Sequence, residues 1–200
     1  MRFISLLPAL LCLALGACAS LNEAECRRGD WQALGKREGL AGYTAGRLDE
    51  HRKACGKYAI QPDTALWESG RQQGLRQFCT PHNAVEAGYR GYQYSTGTCP
   101  ADMEAAFLPG WRVGLEAWRA EWELEQLRQR IRNLEADLMR LKPGPQRDAV
   151  EREYRYTVGM WGGWMPGLFH GAQLDQAEHR AYLARKRMWD YQSKLAAPAS

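Results

Sequence analysis

The sequence predicts an all-α protein in which a disulfide-stapled helical domain is followed by a long, coiled-coil-like helical hairpin. Three observations lead to this fold class. Apolar residues recur at helical spacing along almost every long segment, and no segment alternates as a strand does. Beyond residue 18, four cysteines lie in the first half of the chain. A heptad seam follows in the second half and consists of Leu127, Ile131, Leu134, Leu138 and Leu141.

The expected helices are separated by residues that start or stop helices. Asp30 is expected to cap the first helix, and Pro62-Asp63 opens the second. Lys142-Pro143-Gly144-Pro145 breaks the fourth. The expected helices cover residues 31–54, 63–78, 84–92 and 101–141, then a segment that resumes after the break and runs to 157, and finally 174–195.

The first seventeen residues predict a lipoprotein signal peptide. A basic start at Arg2 precedes an uncharged apolar run over residues 4–15, which is shorter than the ~20 residues that span a bilayer. The ending Leu15-Gly16-Ala17-Cys18 resembles the lipobox of bacterial lipoproteins. That resemblance implies cleavage before Cys18 and an acyl (palmitate-type) membrane anchor on it. The alternative is an ordinary secreted protein whose Cys18 forms a disulfide.

The expected organisation is a signal peptide over 1–17, a tether over 18–25, a Cys/Gly-rich helical domain over 26–100, and the hairpin with a C-terminal helix over 101–195. Ala19, rather than an aspartate, follows Cys18, and by resemblance to Gram-negative lipoproteins this favours an outer-membrane location facing the periplasm. Without Arg2 the mature chain carries 26 basic and 23 acidic residues. This mild, dispersed charge differs from the concentrated basic patch of nucleic-acid-binding proteins, so no nucleic-acid partner is expected.

The four cysteines of the helical domain predict two disulfides, because an even number in an exported chain is typical of such bonds. A zinc site built from His51, Cys55, Cys79 and His82 is the alternative, but it leaves Cys26 and Cys99 unpaired. An unbroken helix over 31–54 would hold Cys26 and Cys55 roughly 36 Å apart. The expected pairs are therefore Cys26–Cys79 and Cys55–Cys99, unless glycines break that helix.

Two glycines four residues apart, followed by leucine, occur three times. Each glycine costs a helix about 1 kcal/mol relative to alanine, so the repetition indicates close helix packing or deliberate helix breaks. The three sets are Gly35, Gly39 and Leu40; Gly70, Gly74 and Leu75; and Gly110, Gly114 and Leu115.

The cysteine and glycine spacing resembles a family of bacterial lipoproteins named domain of unknown function 2799. The resemblance covers roughly residues 20–100 and implies no activity. Glu38 departs from it, because an aspartate is expected before Gly39. The residues that carry the resemblance are Cys26, Trp31, Gly35, Gly39, Gly42, His51, Cys55, Asp63, Gly70, Gly74, Leu75, Cys79, Gly88, Gly91 and Cys99.

Candidate chemistry is sparse. His51 follows Asp49 and Glu50, but adjacent side chains diverge on a helix, so no catalytic residue, metal or cofactor is assigned. The stretch 156–174 contains no Asp, Glu, Lys or Arg. Three interpretations of this stretch remain open: a buried connection, a membrane-interface patch or a partner-binding surface. If the stretch is a contact surface, that surface comprises Trp161, Trp164 and Phe169.

The predicted function is a lipid-anchored envelope protein that acts by interaction or as a structural component. Its partner would be another envelope protein or peptidoglycan. The first alternative is a module that binds cell-wall glycan through exposed Trp and Tyr side chains. The second is a hydrolase that uses His51 and nearby carboxylates.

Overall fold

The computed structural model describes residues 20–158 and 173–197. Within these ranges the chain forms helices and no strands, which confirms the all-α prediction. Cys18 and the predicted contact residues Trp161, Trp164 and Phe169 lie outside the described residues. The helices are α1 (Glu23–Arg28), α2 (Trp31–Leu40), α3 (Arg47–Gly56), α4 (Thr64–Phe78), α5 (Pro81–Tyr89), α6 (Ala101–Arg140), α7 (Pro145–Val158) and α8 (Gln173–Ala196).

The described chain divides into two compact units. The first unit comprises residues 20–79 and 95–104, and the second comprises 80–94, 105–158 and 173–197. The core of the first unit is built around the fully buried Trp67, with Leu21, Trp31 and Leu48 in the same cluster.

The single helix expected over 31–54 is two helices in the structure. Helix α2 ends at Leu40, and α3 begins at Arg47. Between them Gly42 has a φ of 79°, a left-handed conformation that side-chain-bearing residues rarely adopt. The chain therefore reverses at this glycine, and the end of α3 returns toward the start of α2.

This reversal corrects the predicted disulfide pairing. Cys26 pairs with Cys55, with Cα atoms 5.6 Å apart, and Cys79 pairs with Cys99, with Cα atoms 5.7 Å apart. The predicted pairs Cys26–Cys79 and Cys55–Cys99 were wrong, because they assumed an unbroken helix between Cys26 and Cys55. The expectation that these four cysteines form two disulfides is confirmed.

Helices α2 and α4 of the first unit meet through their glycines. A Cβ added to Gly35 would lie 2.0 Å from the carbonyl oxygen of Trp67, and one added to Gly70 would lie 2.0 Å from that of Gln32. Gly39 and Gly74 face backbone of the opposite helix in the same way. The first two glycine sets thus provide reciprocal surfaces for backbone-to-backbone packing, as the close-packing interpretation predicts.

The second unit repeats this device between α5 and α6. A Cβ on Gly88 would lie 2.2 Å from the carbonyl oxygen of Trp111, and one on Gly114 would lie 2.1 Å from that of Val85. Gly114 of the third set therefore packs against α5, and Gly88 is the glycine of α5 that lets the two backbones approach closely. Gly110 contacts the same helix less tightly.

The predicted hairpin is formed by α6 and α7, which run antiparallel. Arg130 of α6 pairs with Glu153 of α7 at 2.6 Å, and Arg147 donates to the carbonyl oxygen of Leu138. Helix α8 covers a different part of α6, where its Ala177 and Ala181 pack with Leu124, and Leu127 lies against the same cluster. Part of the heptad seam is thus covered by α8.

None of the helices within the described ranges is both long enough and apolar enough to cross a membrane.

Candidate functional site

A buried carboxylate lies at the centre of the first unit. Glu38 is on α2, and its side chain is 9% exposed. Its Oε2 accepts a hydrogen bond of 2.7 Å from Nε1 of Trp67. Its Oε1 accepts one of 3.1 Å from Nε of Arg47. Because burying a carboxylate without donors is very costly, these bonds explain why the fold tolerates a charge at this position.

His51 on α3 is the third partner of this carboxylate. Nε2 of His51 lies 2.8 Å from Oε1 and 3.0 Å from Oε2 of Glu38, and the His51 side chain is 0% exposed. Its ring also meets the indole of Trp67 edge to face, with centroids 6.3 Å apart. A carboxylate accepts but does not donate, so Nε2 carries the proton that joins His51 to Glu38.

The other ring nitrogen faces the beginning of the described chain. Nδ1 of His51 lies 2.9 Å from Oγ of Ser20. In the tautomer that carries its single proton on Nε2, Nδ1 is the acceptor and the Ser20 hydroxyl donates. Ser20, His51 and Glu38 therefore form one continuous hydrogen-bonded line.

The charges around Glu38 favour its ionised form. Burial alone would raise the pKa of Glu38, but the hydrogen bonds from His51, Trp67 and Arg47 outweigh it, and the pKa lies below its ordinary value of 4.5. Burial lowers the pKa of Arg47, yet the bonds to Glu38 and the charge of Glu50 raise it overall. The site is thus a buried ion-paired cluster.

The chain that follows Ser20 is fixed by a buried side chain and by a helix cap. Leu21 is 7% exposed and belongs to the core around Trp67. Asn22 caps α1, since its side chain accepts from the backbone of Glu25 and the Glu25 side chain accepts from the backbone of Asn22. This capping box fixes the direction in which the chain enters the first unit, and Cys26 follows it into its disulfide.

The hydrogen-bonded line has the residue types of a serine hydrolase, in which a histidine is oriented by a carboxylate and activates a hydroxyl. It differs in accessibility. A catalytic histidine exchanges a proton with the substrate, but His51 has no exposed surface and both its nitrogens are engaged. The arrangement therefore joins α2, α3, α4 and the segment at Ser20 into one unit.

The carboxylates expected beside His51 face elsewhere. Asp49 pairs with Arg52 at 2.7 Å, and Glu50 pairs with Arg47. The partner of His51 is Glu38, thirteen residues earlier in the chain. The predicted divergence of adjacent side chains on the helix explains this result. Sequence reasoning missed Glu38 as a site residue, although the acidic position before Gly39 in the family pattern was the available indication.

The alternative zinc set is also resolved by the structure. Cys55 and Cys79 each form a disulfide, with Cys26 and Cys99 respectively, so neither is available as a thiolate ligand. His51 is held by Glu38 and Ser20 instead.

The fold and this cluster define an all-α protein stapled by two disulfides around a buried Glu–His pair. Residues 30–116 match the family model described as Protein of unknown function (DUF2799), which confirms the family resemblance. The matched range contains Glu38, His51 and Trp67, together with the glycines of the α2–α4 and α5–α6 contacts. The comparison with curated proteins gives no match, and neither does the comparison with solved structures.

Proposed function

We propose that the chain is a lipid-anchored protein of the bacterial cell envelope that acts by binding a partner close to its membrane. Its anchor is the acylated Cys18, and its membrane is the outer membrane, with the folded part in the periplasm. The partner is another envelope component, either a protein or peptidoglycan. Catalysis has no part in this proposal.

The observation that carries the proposal is the docking of Ser20 and Leu21. Ser20 bonds to the buried His51, and Leu21 is part of the hydrophobic core. Ser20 is only two residues after Cys18, a stretch that reaches at most ~7 Å when extended. A lipid on Cys18 would therefore hold the first unit directly at the membrane surface, whereas a long tether would let the unit move freely.

The buried cluster supports a mechanical role for this docking. Glu38, His51 and Trp67 come from three different helices and converge on the segment that follows the proposed anchor. The Cys26–Cys55 disulfide adds a covalent link between that segment and α3. Such an arrangement keeps the orientation of the first unit fixed relative to its anchor, which suits a protein that presents a binding surface.

The proposal is tested by comparing the wild-type chain with two variants in cells. Cys18→Ser removes the acceptor of the lipid, and a flexible insertion of about 20 residues between Ala19 and Ser20 lengthens the connection to roughly 25 Å on average. We expect wild type and the insertion variant in the membrane fraction and Cys18→Ser outside it. In-cell crosslinking should give a partner adduct in wild type that weakens in both variants. Membrane association of Cys18→Ser would contradict the anchor, and unchanged crosslinking in both variants would contradict action near the membrane.

The residue types of the Ser20–His51–Glu38 line are the observation behind hydrolysis as a second candidate function. In this reading His51 accepts the proton of Ser20 while Glu38 stabilises the resulting imidazolium. Treatment of the purified chain with a fluorophosphonate probe separates the two candidates. Labelling of Ser20 that disappears in Glu38→Gln would establish an activated serine. Failure of the probe to label folded wild-type protein would remove this candidate.

A further inference from the structure

Two tryptophans of α6, Trp118 and Trp122, and Tyr89 of α5, whose hydroxyl is bonded to Glu121 of α6, make up what we call the aromatic ledge. The indoles of Trp118 and Trp122 are stacked, with centroids 6.5 Å apart and planes inclined by 25°. Trp122 is 56% exposed and Tyr89 is 37% exposed. Keeping such large rings in water is unfavourable, and exposed aromatic groups of this kind commonly mark binding surfaces.

The ledge is held in place by its surroundings. Gly91, with a φ of 76°, passes so close to Trp118 that a Cβ there would lie 2.7 Å from the indole ring. The hydroxyl of Tyr89 donates a hydrogen bond of 2.8 Å to Oε2 of Glu121. This bond raises the pKa of the Tyr89 phenol above its usual value of 10, and it holds the hydroxyl against Glu121. The rings are therefore preorganised for a ligand, which reduces the entropy lost on binding.

A polar pair lies beside the ledge. Arg185 of α8 approaches Glu121 at 3.4 Å, a long contact for a charge-assisted hydrogen bond. Its Nε is the buried side-chain nitrogen that has no hydrogen-bond partner among the described residues. The Arg185 side chain is 40% exposed, so its terminal N–H groups that do not face Glu121 are accessible to a ligand at the surface.

We propose that the aromatic ledge, together with Glu121 and Arg185, binds an uncharged saccharide chain. The flat indole faces match the C–H faces of pyranose rings, while the carboxylate and the guanidinium supply an acceptor and donors for hydroxyl and acetamido groups. The opposite charges of Glu121 and Arg185 balance each other, which disfavours strongly anionic ligands such as phosphates. This inference rests on the proposed envelope function and names the ligand class of its partner.

Binding is tested with the detergent-solubilised full chain and the tetramer of N-acetylglucosamine as the probe. Titration is followed by calorimetry and by tryptophan fluorescence. We expect saturable binding in wild type and a loss of affinity of about tenfold or more in Trp122→Ala, because one of the two stacked rings is removed. Arg185→Met should weaken binding to a similar degree.

Tyr156→Ala is the matched control. Tyr156 is 60% exposed and lies on α7, which carries none of the residues of the proposed site, so its removal should leave the affinity unchanged. Each variant is compared by its melting temperature, so that a folding defect is recognised. Equal binding by wild type and folded Trp122→Ala would overturn the inference, and so would a wild-type chain that does not bind the probe at millimolar concentration. If wild type does not bind the saccharide and Trp122→Ala loses a crosslinked protein, the ledge would be assigned to a protein partner. That result would overturn the saccharide inference as well.

The failure of this inference is distinguishable from that of the proposed function. A chain that is membrane-anchored through Cys18 but does not bind the tetramer retains the proposed function and loses the ledge assignment. A chain that binds the tetramer but is not held by Cys18 retains the ledge site and loses the lipid-anchored function.

Discussion

Replacing Gly35 by alanine tests the contact between α2 and α4. The added Cβ would lie 2.0 Å from the carbonyl oxygen of Trp67 and 3.0 Å from the amide nitrogen of Arg71. Ordinary carbon–oxygen contact begins near ~3.2 Å, so the helices must separate by about 1 Å. Both clashing groups are backbone, and no side-chain rotation relieves them. Overpacking of this kind costs about 3 kcal/mol at the upper end of its range.

Alanine also favours the helix by about 1 kcal/mol over glycine, which leaves a net loss of about 2 kcal/mol. In urea unfolding at pH 7 with the disulfides intact, this loss lowers the midpoint by roughly 1 M. The matched control is Gly56→Ala, since a Cβ at Gly56, the last residue of α3, meets nothing within 4 Å. We expect the control to unfold at or slightly above the wild-type midpoint. Equal midpoints for Gly35→Ala and Gly56→Ala would refute the packing argument.

Three further predictions concern the first unit. Glu38→Gln should destabilise the fold by about 3 kcal/mol at pH 7, because it removes the charge of a buried pair. Since the pKa of Glu38 is lowered, the stability that the ionised Glu38 contributes is complete above pH 4.5 and is lost as the pH falls below that value. The unfolding midpoints of wild type and Glu38→Gln should therefore converge in acid. A constant difference between the two midpoints down to pH 2 would be inconsistent with this prediction. Asp63→Ala removes the N-cap that accepts from the backbone of Leu66 and should cost about 1 kcal/mol in the same assay, whereas an unchanged midpoint would show the cap to be dispensable. Non-reducing peptide mapping should recover Cys26 joined to Cys55, and recovery of Cys26 with Cys79 would contradict the reversal at Gly42.

The helical architecture could be predicted from the sequence because it depends on local patterns. Apolar periodicity and the break at Pro143 and Gly144 are visible within short windows, and the structure places α6 and α7 on either side of that break. The repeated glycine pairs were also informative, since each costs helix stability unless a neighbour approaches closely. Which helices approach each other is a tertiary property, and only the structure shows that α2 meets α4.

The disulfide pairing could not be predicted because it depends on one backbone conformation. Residues flanking Gly42 continue the helical pattern, and a glycine within such a pattern is compatible with both a helix and a reversal. The left-handed φ of Gly42 decides between them and brings Cys55 back to Cys26.

The buried cluster was missed for a related reason. The sequence places His51 beside Asp49 and Glu50, but the reversal brings Glu38 of α2 to it instead. Ser20 lies in the stretch expected to be a tether, where no packing was anticipated, yet it reaches the same histidine. A line of three polar residues drawn from three separate segments leaves no trace in local spacing.

The most direct test of the lipid-anchored account is the intact mass of the N-terminal peptide of the protein purified from bacterial envelopes. The account predicts a peptide that begins at Cys18 and carries acyl chains on that residue, followed by unmodified Ala19 and Ser20. Two or more chains are expected, because a single chain anchors only marginally. A peptide that retains residues before Cys18, or that begins at Cys18 without lipid, would contradict the account.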